Sequence, residues 1–367
     1  MPYVLGIDIG AGTTKAAVCR RAGGSEPGGT GWGPAQPVSL GARSPVVMSA
    51  LRMTPAGTVV PAEAGQHPAD AVGGFLHRVG DPSPMLLGDG WFPAHGIFVA
   101  MARWVVDRVW ELLDEPPERV AVAYPSGWGG GRLQQIHAAL AEADLPGTAL
   151  VTRARAVVES HQAAGRVPST GGLLGVCRFG ASTVEAAVVV PHGPGRVQLL
   201  GSAELTEAAG FEVDGLAPAD ARAVVQPGVD LAVQVVRRSG HDPSDLSAIL
   251  IAGTGDAVYP YVSDLLSAAF PVPALRDPQP RMTVAAGAAL AGRPQIRFPA
   301  PAVPPAALAA AESAEFAGLA ESAGSPGFVA SDEAAEPHPE IARDARAAAD
   351  RPPRPPVHSV VVRSEHR

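Results

Sequence analysis

Lysine is almost absent from this sequence. Lys15 is the only one, and the other permanently basic residues are arginines. Any chemistry that needs a lysine therefore has a single candidate. Cysteine is scarce as well. Cys19 and Cys177 lie far apart in apolar, strand-like stretches, which supports neither a disulfide framework nor a zinc site. Both read as small buried hydrophobes. No run approaches the roughly eighteen apolar residues that a membrane-spanning helix needs. The opening residues, Met1-Pro2-Tyr3-Val4-Leu5, lead straight into a strand. They lack the basic region and apolar stretch of a secretory signal, so the cytoplasm is the expected compartment. A basic stripe is also missing and the net charge is −8, which argues against nucleic acid as a partner.

What is present suits a globular α/β body. The 367 residues are 46% hydrophobic and 17% charged, enough for two lobes and an appendage. Apolar strands are expected at Val4–Ile9, Lys15–Cys19, Arg119–Tyr124, Leu173–Phe179, Val184–Val190 and Ile249–Ile251. Helical spacing of apolar residues fits Ile97–Leu113, Arg132–Ala143, Val229–Arg238 and Tyr261–Ala269. Strands alternating with helices imply mixed or parallel sheets covered by helices. The composition changes near Arg297, where Pro299, Pro301, Pro304 and Pro305 open an Ala/Pro/Glu-rich tail. Such a segment buries too little apolar surface to offset its ordering entropy. A flexible tail is expected over 295–367, with an Ala-rich patch near Ala306–Leu319 able to form a helix on a protein partner.

The strongest local signal is Gly6-Ile7-Asp8-Ile9-Gly10-Ala11-Gly12-Thr13-Thr14-Lys15. An apolar strand ends in a turn of small residues, and a second apolar strand returns. The glycines Gly10 and Gly12 let the turn backbone approach a ligand and aim N–H groups at phosphate oxygens. The hydroxyls of Thr13 and Thr14 add donors, Lys15 adds a point charge, and Asp8 can hold a hydrated Mg²⁺. The alternative is an ordinary hairpin whose glycines only make the turn.

The full string resembles the first phosphate motif of the superfamily of actin, sugar kinases and heat-shock ATPases. Further segments fit the same order. Gly175-Val176-Cys177-Arg178-Phe179-Gly180-Ala181-Ser182-Thr183-Val184-Glu185 resembles the second phosphate hairpin, with Arg178, Gly180, Ser182 and Thr183 at its turn. Ile249-Leu250-Ile251-Ala252-Gly253-Thr254-Gly255 resembles the adenosine turn, and Val284–Leu290 the closing helix. Val120–Trp128, Pro45-Val46-Val47, Phe75–Asp81 and Gly210-Phe211-Glu212-Val213-Asp214 resemble segments of the seventy-kilodalton heat-shock family in particular. The resemblance spans about residues 3 to 294. It implies an actin-like ATPase fold with two lobes, 1–166 and 167–294, each built on a mixed sheet flanked by helices, and a nucleotide cleft between them. ATP or ADP is the implied ligand, with Mg²⁺ at Asp8 if a metal is used at all.

The departures from the family pattern bear on function. Where the family's second hairpin supplies an Asp that organises Mg²⁺ and the attacking water, this sequence has Arg178. A guanidinium coordinates no cation and accepts no proton. The family's lysine on the γ-phosphate side matches Leu76, with His77 beside it. Its glutamate in an Asn-Glu-Pro turn matches Ala156, with Glu159 three residues on. About seventy residues separate the second hairpin from the adenosine turn, where the family usually has nearly twice that. The tail has neither the length nor the strand pattern expected of the family's peptide-binding domain. These losses imply a nucleotide-binding domain that hydrolyses ATP weakly or not at all. The alternatives are an active ATPase or kinase using Glu159, Glu185 or Asp214 as base, and an actin-like scaffold, with a setting near secretion machinery. Arg178 itself has three readings: it replaces Mg²⁺ against phosphate, it pairs with Asp8 across the cleft, or it points to solvent.

Overall fold

The computed structural model describes residues 1–22, 31–42, 44–62, 71–206, 217–253 and 258–294. The tail at 295–367, Gly210–Asp214, Thr254 and Gly255 lie outside them.

The chain begins with β1 (Tyr3–Ile9), buried along its whole length, as a central strand covered on both faces must be. It pairs antiparallel with β2 (Thr13–Arg21), which pairs antiparallel with β3 (Trp32–Val38). Short strands follow: β4 (Val46–Met48) beside β2, then the ribbons β5 (Leu51–Met53) with β6 (Val59–Pro61) and β7 (Met85–Leu87) with β8 (Gly90–Phe92). Next come α1 (Ala94–Leu113), β9 (Arg119–Tyr124), α2 (Gly130–Glu142), β10 (Ala149–Thr152) and α3 (Arg153–Ala163). β9 runs parallel to β1, and β10 parallel to β9. The first sheet therefore has the order β10-β9-β1-β2-β3, with β4 off its path.

The second sheet repeats this plan. β11 (Leu173–Phe179), β12 (Val184–Pro191) and β13 (Val197–Leu205) form an antiparallel meander. They are followed by α4 (Pro218–Arg238), β14 (Leu246–Ala252), α5 (Tyr259–Ala269), β15 (Ala274–Arg276) and α6 (Thr283–Ala291). β14 is parallel to β11 and β15 parallel to β14, giving the order β13-β12-β11-β14-β15. Each half thus reads three strands, helix, strand, helix, strand, helix. The first carries its small ribbons as an insertion between the meander and its first helix. Mixed sheets covered by helices make this an α/β protein.

The two halves exchange their last helices. α3 follows the first sheet but packs under the second, sharing a core with β11, β12 and β14 through Val157, Leu174, Val176, Ala187 and Leu250. α6 follows the second sheet but lies on the first, against Val4, Ala17 and Cys19. Small residues allow it. A Cβ at Gly6 would collide with the α6 backbone at Ala285 and Ala289, and one at Gly287 would collide with the Ala156 carbonyl of α3.

Three local features depart from the sequence reading. The helix expected from Val229 begins at Pro218 and runs through Pro227. A proline there forfeits one backbone bond, which the amphipathic face buried through Ala221, Val225 and Val229 outweighs. Strand β3 carries Pro34 and Pro37, which the sheet tolerates because β3 is an edge. Strand β13 has no alternating apolar pattern, since most of it is half-buried.

Candidate functional site

Two hairpin turns, β1–β2 and β11–β12, face one another. Each is closed by the same bond: Gly10 N–H donates to the Thr13 carbonyl at 2.9 Å, and Gly180 N–H to the Thr183 carbonyl at 2.7 Å. The tips meet, because a Cβ on Gly12 would stand 2.7 Å from Ala181 Cβ. At Gly10 a Cβ would fall 2.8 Å from Thr13 O and 3.2 Å from Arg178 Nη2, and at Gly180 one would fall 2.9 Å from Arg178 Nη1. The glycines thus keep open the space into which the Arg178 guanidinium reaches.

The paired residues behind the turns carry inverted charge. Strand register sets Asp8 opposite Lys15 in the first hairpin and Arg178 opposite Glu185 in the second. The spacing to the turn glycine is the same in both. Asp8 and Arg178 therefore hold equivalent places in the repeat, as do Lys15 and Glu185. Both sets are nearly sealed from solvent, with Asp8 1%, Lys15 6%, Arg178 3% and Glu185 3% exposed. Asp8 Oδ2 lies 3.5 Å from Lys15 Nζ and 3.7 Å from Arg178 Nη2. Arg178 does not point to solvent.

Arg153, the first residue of α3, completes the cluster and was missed in the sequence. It is 1% exposed. Its Nη2 donates to the Ile9 carbonyl at 2.8 Å, Nε stands 3.3 Å from Asp8 Oδ1, and Nη1 stands 3.5 Å from Glu185 Oε2. Glu185 Oε1 accepts the Ser126 N–H at 2.8 Å, and Ser126 Oγ accepts the Ala154 N–H at 3.0 Å. The α3 terminus is thereby stitched to both hairpins. A signal existed: an arginine in the first turn of a helix opposes the helix dipole and calls for a partner.

Electrostatics follow from this crowding. Burial alone would raise the Asp8 carboxyl, but Lys15, Arg178 and Arg153 outweigh it and hold the group below the ordinary carboxylate range. Burial pulls Lys15 down to about 8 against the opposing pull of Asp8, with Arg178 and Arg153 adding to the fall. Burial likewise lowers Arg178, and its neighbour Arg153 adds to the effect. Glu204 on β13, opposite Glu185 in register, is raised by burial.

The remaining candidates divide. Thr14 is buried, its Oγ1 sharing a 2.8 Å hydrogen bond with Ser49 Oγ. Thr183 is buried with Oγ1 unpartnered. Thr13 and Ser182 are half-buried at the two turns. Gly253, at φ 82°, packs against the Phe179 carbonyl at the end of β11, so the β14 turn abuts the second hairpin. Leu76 belongs to the core and His77 is exposed. Ala156 serves the helix crossing, and Glu159 lies 3.5 Å from Arg155 Nε.

The cluster fits an anion better than a metal. Asp8 already faces three cations, and like unit charges 4 Å apart repel by about 4 kcal/mol at an effective dielectric of 20. Among the described residues no group of three or more His, Cys, Asp or Glu is placed to hold a metal ion. Conversely, Nε and Nη1 of both Arg153 and Arg178 are buried without a hydrogen bond. For Arg153 the distances from Nε to Asp8 and from Nη1 to Glu185 are ion-pair contacts that lack hydrogen-bond geometry. A separate cavity of about 610 Å³ opens between β3, α3 and α6, lined by Trp32, Ser160, Asp277, Met282, Leu290 and Arg293. Its one carboxylate, Asp277, is already engaged by Ser160 Oγ at 3.2 Å and Arg166 Nη1 at 3.1 Å.

No protein-family model matches the chain, and no curated protein matches it. No helix among the described residues is long and apolar enough to cross a membrane.

Proposed function

We propose that this chain is a nucleotide-binding domain of the actin-like ATPase kind, resembling that of the seventy-kilodalton heat-shock proteins. It takes the phosphates of ATP or ADP between its two hairpins and hydrolyses ATP weakly or not at all. The repeated plan of the two sheets, with a small-residue hairpin at the equivalent place in each and the pair turned face to face, is the observation that carries this reading. Arg178 Nε and Nη1, buried without a hydrogen bond, are donors open to an anion. The packing of Gly253 against Phe179 at the end of the second hairpin supports reading its segment as the adenosine turn.

Weak turnover follows from the groups around the turns. In-line attack on a γ-phosphate needs a positioned water and a group to orient it. Arg178 occupies the place equivalent to Asp8, and Glu185 is tied to the Ser126 amide and faces Arg153. Losing one such stabilising group typically costs about a hundredfold or more in rate. A binding or regulatory role towards a protein partner then suits the domain better than catalysis.

A second reading is a closed scaffold. The tip contact between Gly12 and Ala181 and the Asp8–Arg178 ion pair favour it, since together they join the hairpins directly. One experiment separates the readings: calorimetric titration of ATP and ADP into the full chain, followed by radiolabelled ATP turnover. Saturable binding with turnover at the buffer background is expected. Heat-silent titrations under every condition would leave the scaffold. Turnover abolished by Asp8→Ala would restore an active ATPase.

A further inference from the structure

We infer that the site recognises a nucleoside di- or triphosphate without a divalent metal, the guanidinium of Arg178 standing where a metal-bridged carboxylate would otherwise meet the phosphates. The inference rests on the nucleotide reading above and concerns how the same site holds its ligand.

Charge leads to it first. Lys15, Arg153 and Arg178 converge on Asp8, Glu185 adds a second carboxylate beside Arg153, and Glu204, raised by burial, stands close enough to feel both arginines. A divalent ion approaching Asp8 would meet all three cations. An anion at Arg178 would be drawn by three cations nearly sealed from water and opposed by Asp8, Glu185 and the ionised fraction of Glu204. Such charges act strongly because little solvent screens them.

Geometry leads to the same place. Arg178 projects from the end of β11 into the gap kept open by Gly10 and Gly180, where a Cβ would stand 3.2 Å from Nη2 and 2.9 Å from Nη1, respectively. Nη1 and Nε have no hydrogen-bond acceptor. These two atoms lie on opposite edges of the guanidinium, so each can form a two-donor fork for phosphate oxygens with Nη2 once Nη2 leaves Asp8, a planar fit that a point charge such as Lys15 does not offer. The inverted pairing of the two hairpins completes the logic. In a repeat with aspartate at both equivalent places, the facing carboxylates would repel and require a cation between them. With Asp8 on one side and Arg178 on the other, that requirement is gone. Because the tips touch at Gly12 and Ala181, the phosphates enter by parting the hairpins, and the Asp8–Arg178 contact is exchanged for a phosphate–Arg178 contact.

The test is calorimetric titration of ATP and ADP into the full chain, once in EDTA and once in Mg²⁺. Equal or tighter binding in EDTA is expected. Arg178→Ala should weaken binding in EDTA by on the order of tenfold to a hundredfold, the range for a charged hydrogen-bond donor. Arg178→Lys, which keeps the charge and loses the fork, should fall between. A thermal melt of each variant shows that it is folded, and the unsubstituted chain alone already decides the main point. Binding that appears only with Mg²⁺ overturns the metal-free site and leaves the nucleotide reading standing. No binding in either buffer overturns both. Binding in EDTA that is unchanged in Arg178→Ala removes Arg178 from the site.

Discussion

At the scale of single residues, the buried charges carry both the chemistry and the vulnerability. Arg153 touches Ile9 O, Asp8 and Glu185 from one guanidinium. Arg153→Met should cost about 3–5 kcal/mol, because both carboxylates are left buried with weaker compensation. Urea unfolding of the variant measures this, and a loss below about 1 kcal/mol would show that the cluster does not depend on Arg153. His161 gives a second expectation. It is fully buried with neither ring nitrogen hydrogen-bonded, and burial with the help of Arg166 lowers it to about 4 against the pull of Asp277. The unfolded chain therefore takes up a proton near pH 6.5 that the folded chain refuses until about pH 4. The share of stability due to His161 should be whole above pH 6.5 and fall towards pH 4 by roughly 3 kcal/mol. His95, also lowered by burial, reinforces the fall and the raised Glu204 opposes it, and His161→Phe should remove the His161 share from the slope. Asp277, lowered chiefly by the Gln279 amide and Arg166 against the effect of burial, loses its share only below the ordinary carboxylate value of 3.8, outside this window. Asp8, Lys15 and Arg178 were legible in the sequence because each stands at a fixed distance from a turn glycine. Arg153 was not, since its meaning comes from strands far away in the chain.

At the scale of elements, the close approach of α3 and α6 is the most exacting feature. Gly287→Ala puts a methyl into the Ala156 carbonyl, and neither backbone can step aside without moving its helix. A loss of about 3 kcal/mol or more is expected, at or beyond the upper end of ordinary overpacking. Gly130→Ala is the control, since nothing lies within 4 Å of the added atom. Its melting temperature should hold or rise slightly. If both variants melt alike, the crossing is looser than the contact implies. Elements with a strong local period were legible: β1, β9, β11, β14 and α1 lie where alternation or helical spacing set them. Edge strand β3 and half-buried β13 were not, because an edge tolerates proline and a partly exposed strand needs no apolar rhythm.

For the whole molecule, the repeat is the organising fact. The two hairpin strings share glycine placement, which the sequence shows directly, but equivalence of Asp8 with Arg178 becomes evident only from strand register. The small residues of Val284–Leu290 suit a close approach, but neither the exchange of terminal helices nor the meeting of Ala156 with Gly287 is legible in the sequence. That exchange gives α3 two working ends. Its first residue, Arg153, sits among the hairpin charges, Ala156 rests against Gly287, and Ser160, Ala163 and Ala164 line the 610 Å³ cavity at the other end. One helix thus ties the buried charge cluster to the wall of the cavity, and the Gly287 contact pins it midway, so neither end of α3 can be repositioned independently of the other.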